Sequence, residues 1–228
     1  VVTANGNTQI DTAQARFGNA SGLFDGTGDY LSIPDDADWN FGAGDFTLET
    51  FVRFNGTAGT SGTPTFVNQY TSNNQAFTMY YAQSDGLHTA ISDNGTNSFD
   101  FARAWSPVPD TQYHIASCRS GTGLRLFVDG AQLGATINVG GTTINNSTGS
   151  LIIGANSGDT SLNNVNGWLD EMRVGTVARY TANFTAPEGQ FTYNVNNVLL
   201  LHMNGIDAST TFTDSSADTT DIIKSSGL

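Results

Sequence analysis

The side chains that could do chemistry here are few and spread out. The sequence holds three glutamates, Glu49, Glu171 and Glu188, and three histidines, His88, His114 and His202. Glycoside hydrolysis needs two carboxyl groups facing each other across the scissile bond. On a strand that means acids at i and i+2 or i+4 on one face. Glu49, in FTLETFVRF, has no acidic neighbour two residues away, although Asp45 lies four residues back at the strand's start. Glu171 follows Asp170 directly, so strict alternation sends the two to opposite faces. No Ser-His-Asp spacing and no Gly-rich phosphate loop is present. The histidines stand on separate strands without ligand spacing and read as surface or internally satisfied groups. The single Cys118, inside the apolar run YHIASC, reads as a buried inert thiol and precludes an internal disulfide. These spacings point away from an enzyme, leaving polysaccharide degradation as the weakest reading.

Sugar recognition asks for something else, namely exposed aromatic faces with Asn, Asp and Arg beside them. Trp39, Tyr70, Tyr80, Tyr81, Trp105 and Trp168 are the eligible rings. A rim site built from Trp105 and Tyr81 with the turn residues Asp93 and Asn94 is the ligand-binding set expected from loop chemistry. The formal net charge of −13 excludes nucleic acid as a principal partner and disfavours an anionic membrane surface. It leaves divalent cations plausible, although most aspartates adjoin Gly, Asn or Ser and read as turn residues. No apolar run is long enough to span a bilayer, so membrane insertion is not expected. The chain opens at Val1 and shows no signal-peptide pattern, which reads as a processed or excised piece of something longer.

The elements that must position these residues are strands. No window sustains a 3.6-residue apolar period, and 38% hydrophobic content over 228 residues suffices for one full core. Leu23 to Phe54 organises the chain: a strand ends at Pro34, a polar loop follows, and Phe46 to Phe54 then alternates cleanly. Phe46, Leu48, Thr50 and Val52 fall on one side, Thr47, Glu49, Phe51 and Arg53 on the other. Both sides carry apolar residues, so this strand should be covered on two faces. Ahead of it, Phe17 is the apolar anchor of a small polar loop. Further strands are expected at 65–70, 75–83, 87–92 and 98–104, and a hairpin over Gln112 to Gly130. The expected division is a body over 1–195 and a C-terminal strand segment over 196–228.

The motifs FDG-x-x-DYL-x-IP with FTLETFVRF, the hairpin closing on VDG, LIIGA and GWLDEMRV resemble, in that order, the landmarks of laminin G-like domains. Those domains are concanavalin A-like jelly rolls. The resemblance implies an all-β antiparallel jelly-roll sandwich acting as a non-catalytic recognition or adhesion module, extracellular, on a cell surface or on a virion. A glycan or cell-surface receptor is the implied partner. It also implies a structural Ca²⁺ held by Asp170 with carbonyls near Gly26 and Gly28, and Asp25 as an extra side chain; oxygen donors of this kind suit a hard cation. The low-charge, Gly/Asn/Thr-rich surface is similar to that of phage tail fibres and bacterial surface repeats, which gives the alternative of a structural fibre or filament subunit. In such repeats a segment like NVLLLHMNGIDASTTFTDSS precedes a strand like VVTANG, whereas here it comes last. The C-terminal strand is therefore expected to close the sandwich in cis, with donation to a neighbouring subunit as the rival.

Overall fold

The computed structural model describes residues 1–59, 62–161 and 163–216. Sixteen strands are present: β1 (Thr3–Asn5), β2 (Gln9–Asp11), β3 (Ser21–Asp25), β4 (Tyr30–Ile33), β5 (Phe46–Phe54), β6 (Thr65–Thr71), β7 (Asn74–Ala82), β8 (Gly86–Ile91), β9 (Phe99–Arg103), β10 (Gln112–Ser120), β11 (Gly123–Val128), β12 (Ala131–Gln132), β13 (Ile137–Asn138), β14 (Leu151–Ile153), β15 (Asn166–Gly175) and β16 (Asn197–Leu201). They form two sheets, one ordered β1-β4-β14-β6-β7-β8-β9 and the other β12-β11-β10-β5-β15-β3-β2, with β13 beside β11 and β16 beside β15. Each ladder is antiparallel. This is the expected jelly-roll sandwich. The organising pair does not form a hairpin: β4 lies in the seven-stranded sheet and β5 in the nine-stranded one, so the polar loop after Pro34 carries the chain across the sandwich.

Period-two alternation sorts the side chains. Phe46, Leu48, Val52 and Phe54 of β5 enter the inter-sheet core, where they meet Leu31 and Ile33 of β4, Phe77, Met79 and Tyr81 of β7 and Leu151 and Ile153 of β14. The opposite side of β5 is covered as well, since Thr47, Glu49 and Phe51 are all at most 2% exposed. The cover is a strap running from Thr176 through Phe191. Tyr180 and Phe184 stack at 3.5 Å and lie over Phe127, Ala116 and Cys118, while Phe191 and the N-terminal Phe17 pack on Phe51. Phe17 meets Phe51 edge-on at 5.3 Å, so it is the anchor that its loop required.

Downstream of the strap, β16 runs antiparallel to β15 of its own chain, with Leu201 opposite Met172 and Leu200 opposite Arg173. It takes the part of that edge that β3 leaves free, because β3 pairs only with Asn166 to Leu169. Leu199 and Leu201 enter the main core and Leu200 the outer cluster with Phe51. Residues 217–228 of the C-terminal segment lie outside the described residues.

One irregularity changes the chemistry. Between Asp170 and Arg173 the ladder to β5 slips by one residue, and Glu171 takes φ 52. The resulting bulge shifts the phase of alternation: Leu169 faces the core before it, Met172 and Val174 after it. Glu171 is thereby turned outward, like Asp170, toward Phe191 and His202. The expectation that these two acids take opposite faces fails because a bulge breaks the period on which it rested.

Candidate functional site

The two outer faces of the sandwich carry different chemistry. On the nine-stranded sheet a charged cluster sits wholly beneath the strap. Glu49 Oε1 accepts hydrogen bonds from Arg173, at 2.8 Å from Nε and 2.7 Å from the terminal nitrogen. Its Oε2 lies 3.0 Å from His114 Nε2 and accepts from the Tyr180 hydroxyl at 2.9 Å. Burial would raise the Glu49 pKa, but the His114 hydrogen bond and the Arg173 charge outweigh it and hold the carboxyl below its usual range. Glu49 and His114 are both 0% exposed, although His114 lies at the floor of a hollow of about 330 Å³ lined also by Arg16, Gln112 and Glu188, and the cluster serves as the anchor of the strap. Cys118, behind the same cover, has its thiol pushed up to about 12 by burial, as expected of an inert thiol.

The outer face of the seven-stranded sheet is open. Along β6 to β9 the odd positions Phe77, Met79, Leu87 and Ile91 point inward, so Thr78, Tyr80, His88, Ala90 and Asp100 point out. A groove of about 230 Å³ runs over them, lined by Thr65, Tyr70, Thr78, Tyr80, Asp100 and Asn156 among others. A second hollow of about 340 Å³ continues the same face over β4 and β14, with Tyr30, Ser32, Thr71, Ser150, Ser157 and Thr160 as its hydroxyls. Neither hollow is lined by Lys or Arg, and Asp100 is the one carboxylate among the described linings.

Turn geometry builds the centre of this groove. The Ser84–Asp85 turn sets Tyr80 opposite His88, and the next turn sets His88 opposite Ala102, which brings Asp100 within reach. Gly86, at φ +113, lets the Arg103 carbonyl and the Trp105 amide close over the start of β8; a Cβ there would collide with both. The Tyr80 ring stacks on the His88 imidazole at 4.5 Å, and its hydroxyl donates to Asp100 Oδ2 at 2.6 Å. Burial together with the Asp100 hydrogen bond keeps this phenol protonated, well above the usual tyrosine range. The Tyr70 hydroxyl donates to Ser98 Oγ at 2.5 Å across the far wall. The sequence carried a signal for this constellation that composition alone hides: the lengths of two short turns fix which residues share the outer face.

A family model described as the concanavalin A-like lectin/glucanases superfamily, of laminin G type, matches residues 25–183. The chain belongs to this superfamily. No curated protein matches the sequence. Among solved structures it is similar to a putative carbohydrate binding protein from Bacteroides ovatus, with TM-score 0.66 and 16% identity over 86% of this chain and 55% of that one. It is similar to domain 4 of an extracellular arabinanase from Geobacillus stearothermophilus in complex with arabinotriose, with TM-score 0.58 and 13% identity over 78% of this chain and 82% of that one. The botulinum neurotoxin serotype C1 binding domain gives 0.60 and 12% over 79% of this chain and 44% of that one. At such identities the likeness is one of fold, and the chain spans about half the length of the Bacteroides protein.

Neither site set that the sequence suggested for this superfamily member is brought together. Tyr81 is 3% exposed and belongs to the core. Trp105 packs edge-on against it at 5.5 Å, beside the start of β8. Asp93 and Asn94 stand past the other end of β8, where Asn94 Oδ1 accepts from the Thr96 and Asn97 amides as a turn cap. Alternation could not separate Tyr80 from Tyr81, and the inner face took Tyr81. The calcium set also falls apart. Asp25 and Gly26 adjoin Asn166, four residues and roughly 13 Å along β15 from Asp170. Asp170 Oδ2 instead accepts from the Arg16 and Phe17 amides at 2.7 and 3.1 Å, tying down the N-terminal loop. Asp25 caps its own turn through Thr27. Asp170 Oδ1 is buried without a hydrogen-bond partner among the described residues, where no three His, Cys, Asp or Glu side chains are grouped as a metal site. Each of the three histidines faces a carboxylate: His88 Asp85 and Asp100, His114 Glu49, His202 Glu171. His114 Nδ1 has no hydrogen-bond partner among the described residues.

Proposed function

We propose that this chain is a non-catalytic carbohydrate-binding module that takes a neutral glycan on the outer face of its seven-stranded sheet, in an extracellular setting. The observation that carries the reading is the groove itself: hydroxyls and an amide for sugar hydroxyls, two tyrosine rings, and one carboxylate, with no Lys or Arg in the lining to meet an acidic sugar. The net charge of −13 acts in the same direction at longer range. The same fold in a putative carbohydrate binding protein and in the binding domain of a neurotoxin supports a recognition role. A single groove carboxylate, already bonded to Tyr80 and His88, supports a site that binds without cleaving, because hydrolysis requires two across the bond.

The test is calorimetric titration with arabinotriose, cellotriose and lactose, followed by a neutral glycan array. Binding should weaken roughly tenfold in Tyr80→Ala, the loss expected for one aromatic contact and its hydroxyl, with melting nearly unchanged. Affinity that survives intact in both Tyr80→Ala and Asp100→Ala would place the ligand elsewhere.

A further inference from the structure

His88 is 4% exposed, stacked behind the groove-lining Tyr80, and both of its ring nitrogens face carboxylates. Nε2 lies 2.9 Å from Asp85 Oδ1 in the turn before β8, and Nδ1 lies 3.1 Å from Asp100 Oδ1 on β9. A neutral imidazole has one N–H and one lone pair, so in that state a lone pair would point at a carboxylate oxygen. Only the imidazolium donates in both directions. The Tyr80 ring then lies flat on a cation, at an interplanar angle of 21°, while its hydroxyl donates to the other oxygen of Asp100. One proton on His88 thus joins three strands and a turn, and it sets both the ring and the carboxylate that the groove offers.

We propose that His88 is the positioning residue of this groove and that glycan binding requires its protonated form. The inference rests on the glycan reading above and adds a control to it. The titratable groups that face His88 are Asp85 from the turn, Tyr80 from β7 and Asp100 from β9, with Tyr70 of β6 beyond Tyr80. Among the described residues no Lys or Arg pairs with Asp85 or Asp100, so the imidazolium is their one cationic partner. Burial works against the charge on His88, but the hydrogen bonds to Asp100 and Asp85 prevail and raise its pKa above the usual histidine range. The sign follows directly: the clamp is complete below the usual histidine pKa of about 6.5, and is lost as pH rises through the raised pKa. Without the proton, Asp85 and Asp100 repel the ring's lone pair and Tyr80 loses its seat.

The experiment combines arabinotriose, cellotriose and lactose titrations from about pH 6 to about pH 9 with NMR titration of the His88 ring, free and with the tightest of the three. Affinity is expected to fall roughly tenfold across the range, the midpoint to coincide with the His88 titration, and the sugar to raise the His88 pKa, since linkage is reciprocal. Asp85→Asn, which removes one carboxylate outside the groove lining, should move both midpoints together to lower pH. His88→Gln should bind more weakly and show no pH dependence. Affinity that stays level while His88 titrates, or midpoints that part in Asp85→Asn, overturns the inference and leaves the glycan site standing. Absence of binding for all three sugars and the array at every pH overturns the reading and the inference together.

Discussion

The two sheets of this sandwich treat their outer faces in opposite ways. The nine-stranded sheet covers most of its outer face: Glu49 bonds His114, Arg173 and Tyr180 beneath a strap with almost no regular structure. The seven-stranded sheet leaves its outer face open, clad in hydroxyls and two tyrosines, and spends its charged groups on one clamp at the surface. Polar groups therefore do different jobs on the two sides. A buried cluster presents little of itself to a ligand, but it helps to fix a long irregular segment that forms no strand. An open polar face contributes little to folding, because water serves its groups equally well in the unfolded chain, and it stays free to recognise something.

Removing one group from each face should break or confirm this contrast. Glu49→Ala strands two arginines and a histidine under the strap, and denaturant unfolding should show a loss of about 3–5 kcal/mol, as for a broken buried ion pair. A loss below about 1 kcal/mol would mean the cluster is not what holds the strap.

The next effect concerns pH. Burial pushes the Asp170 carboxyl up to about 7, against its bonds to the Phe17 and Arg16 amides, with Glu171 adding to the rise. The folded state holds this proton more tightly than the unfolded one, so the contribution is full below about pH 4 and fades as pH climbs to about 7. Unfolding free energies across that window should fall by a few kcal/mol at most, and Asp170→Asn should flatten the fall. A profile for Asp170→Asn that parallels the unsubstituted chain would assign the slope to other groups. Smallest of all, Ser98→Ala on the open face removes the Tyr70–Ser98 hydrogen bond in an exposed setting, and its cost should stay within about 0.5 kcal/mol in the same unfolding assay.

The sequence alone settles the strands, their order and the core. Phe46 to Phe54 shows apolar residues in both phases, and β5 is covered on both faces; the Asn94-Gly95 and Asp129-Gly130 turns fall where β8–β9 and β11–β12 close. These features are local, since side-chain direction repeats every two residues along one strand and turn chemistry is set by adjacent residues. Which groups meet across the sheets was decided by the tertiary structure. The bulge at Glu171 lies where β15 passes from pairing with β3, up to Leu169, to pairing with β16, from Met172, so no reading of GWLDEMRV by itself could turn both acids outward. The strap has no period to read, yet it is what buries Glu49. Tyr80, His88 and Asp100 share a face only because three strands lie in one register. Asp25 and Asp170 stand apart for the same reason: residues of a strand are spaced roughly 3.3 Å apart, and convergence needs strands, not spacing, to bring them together.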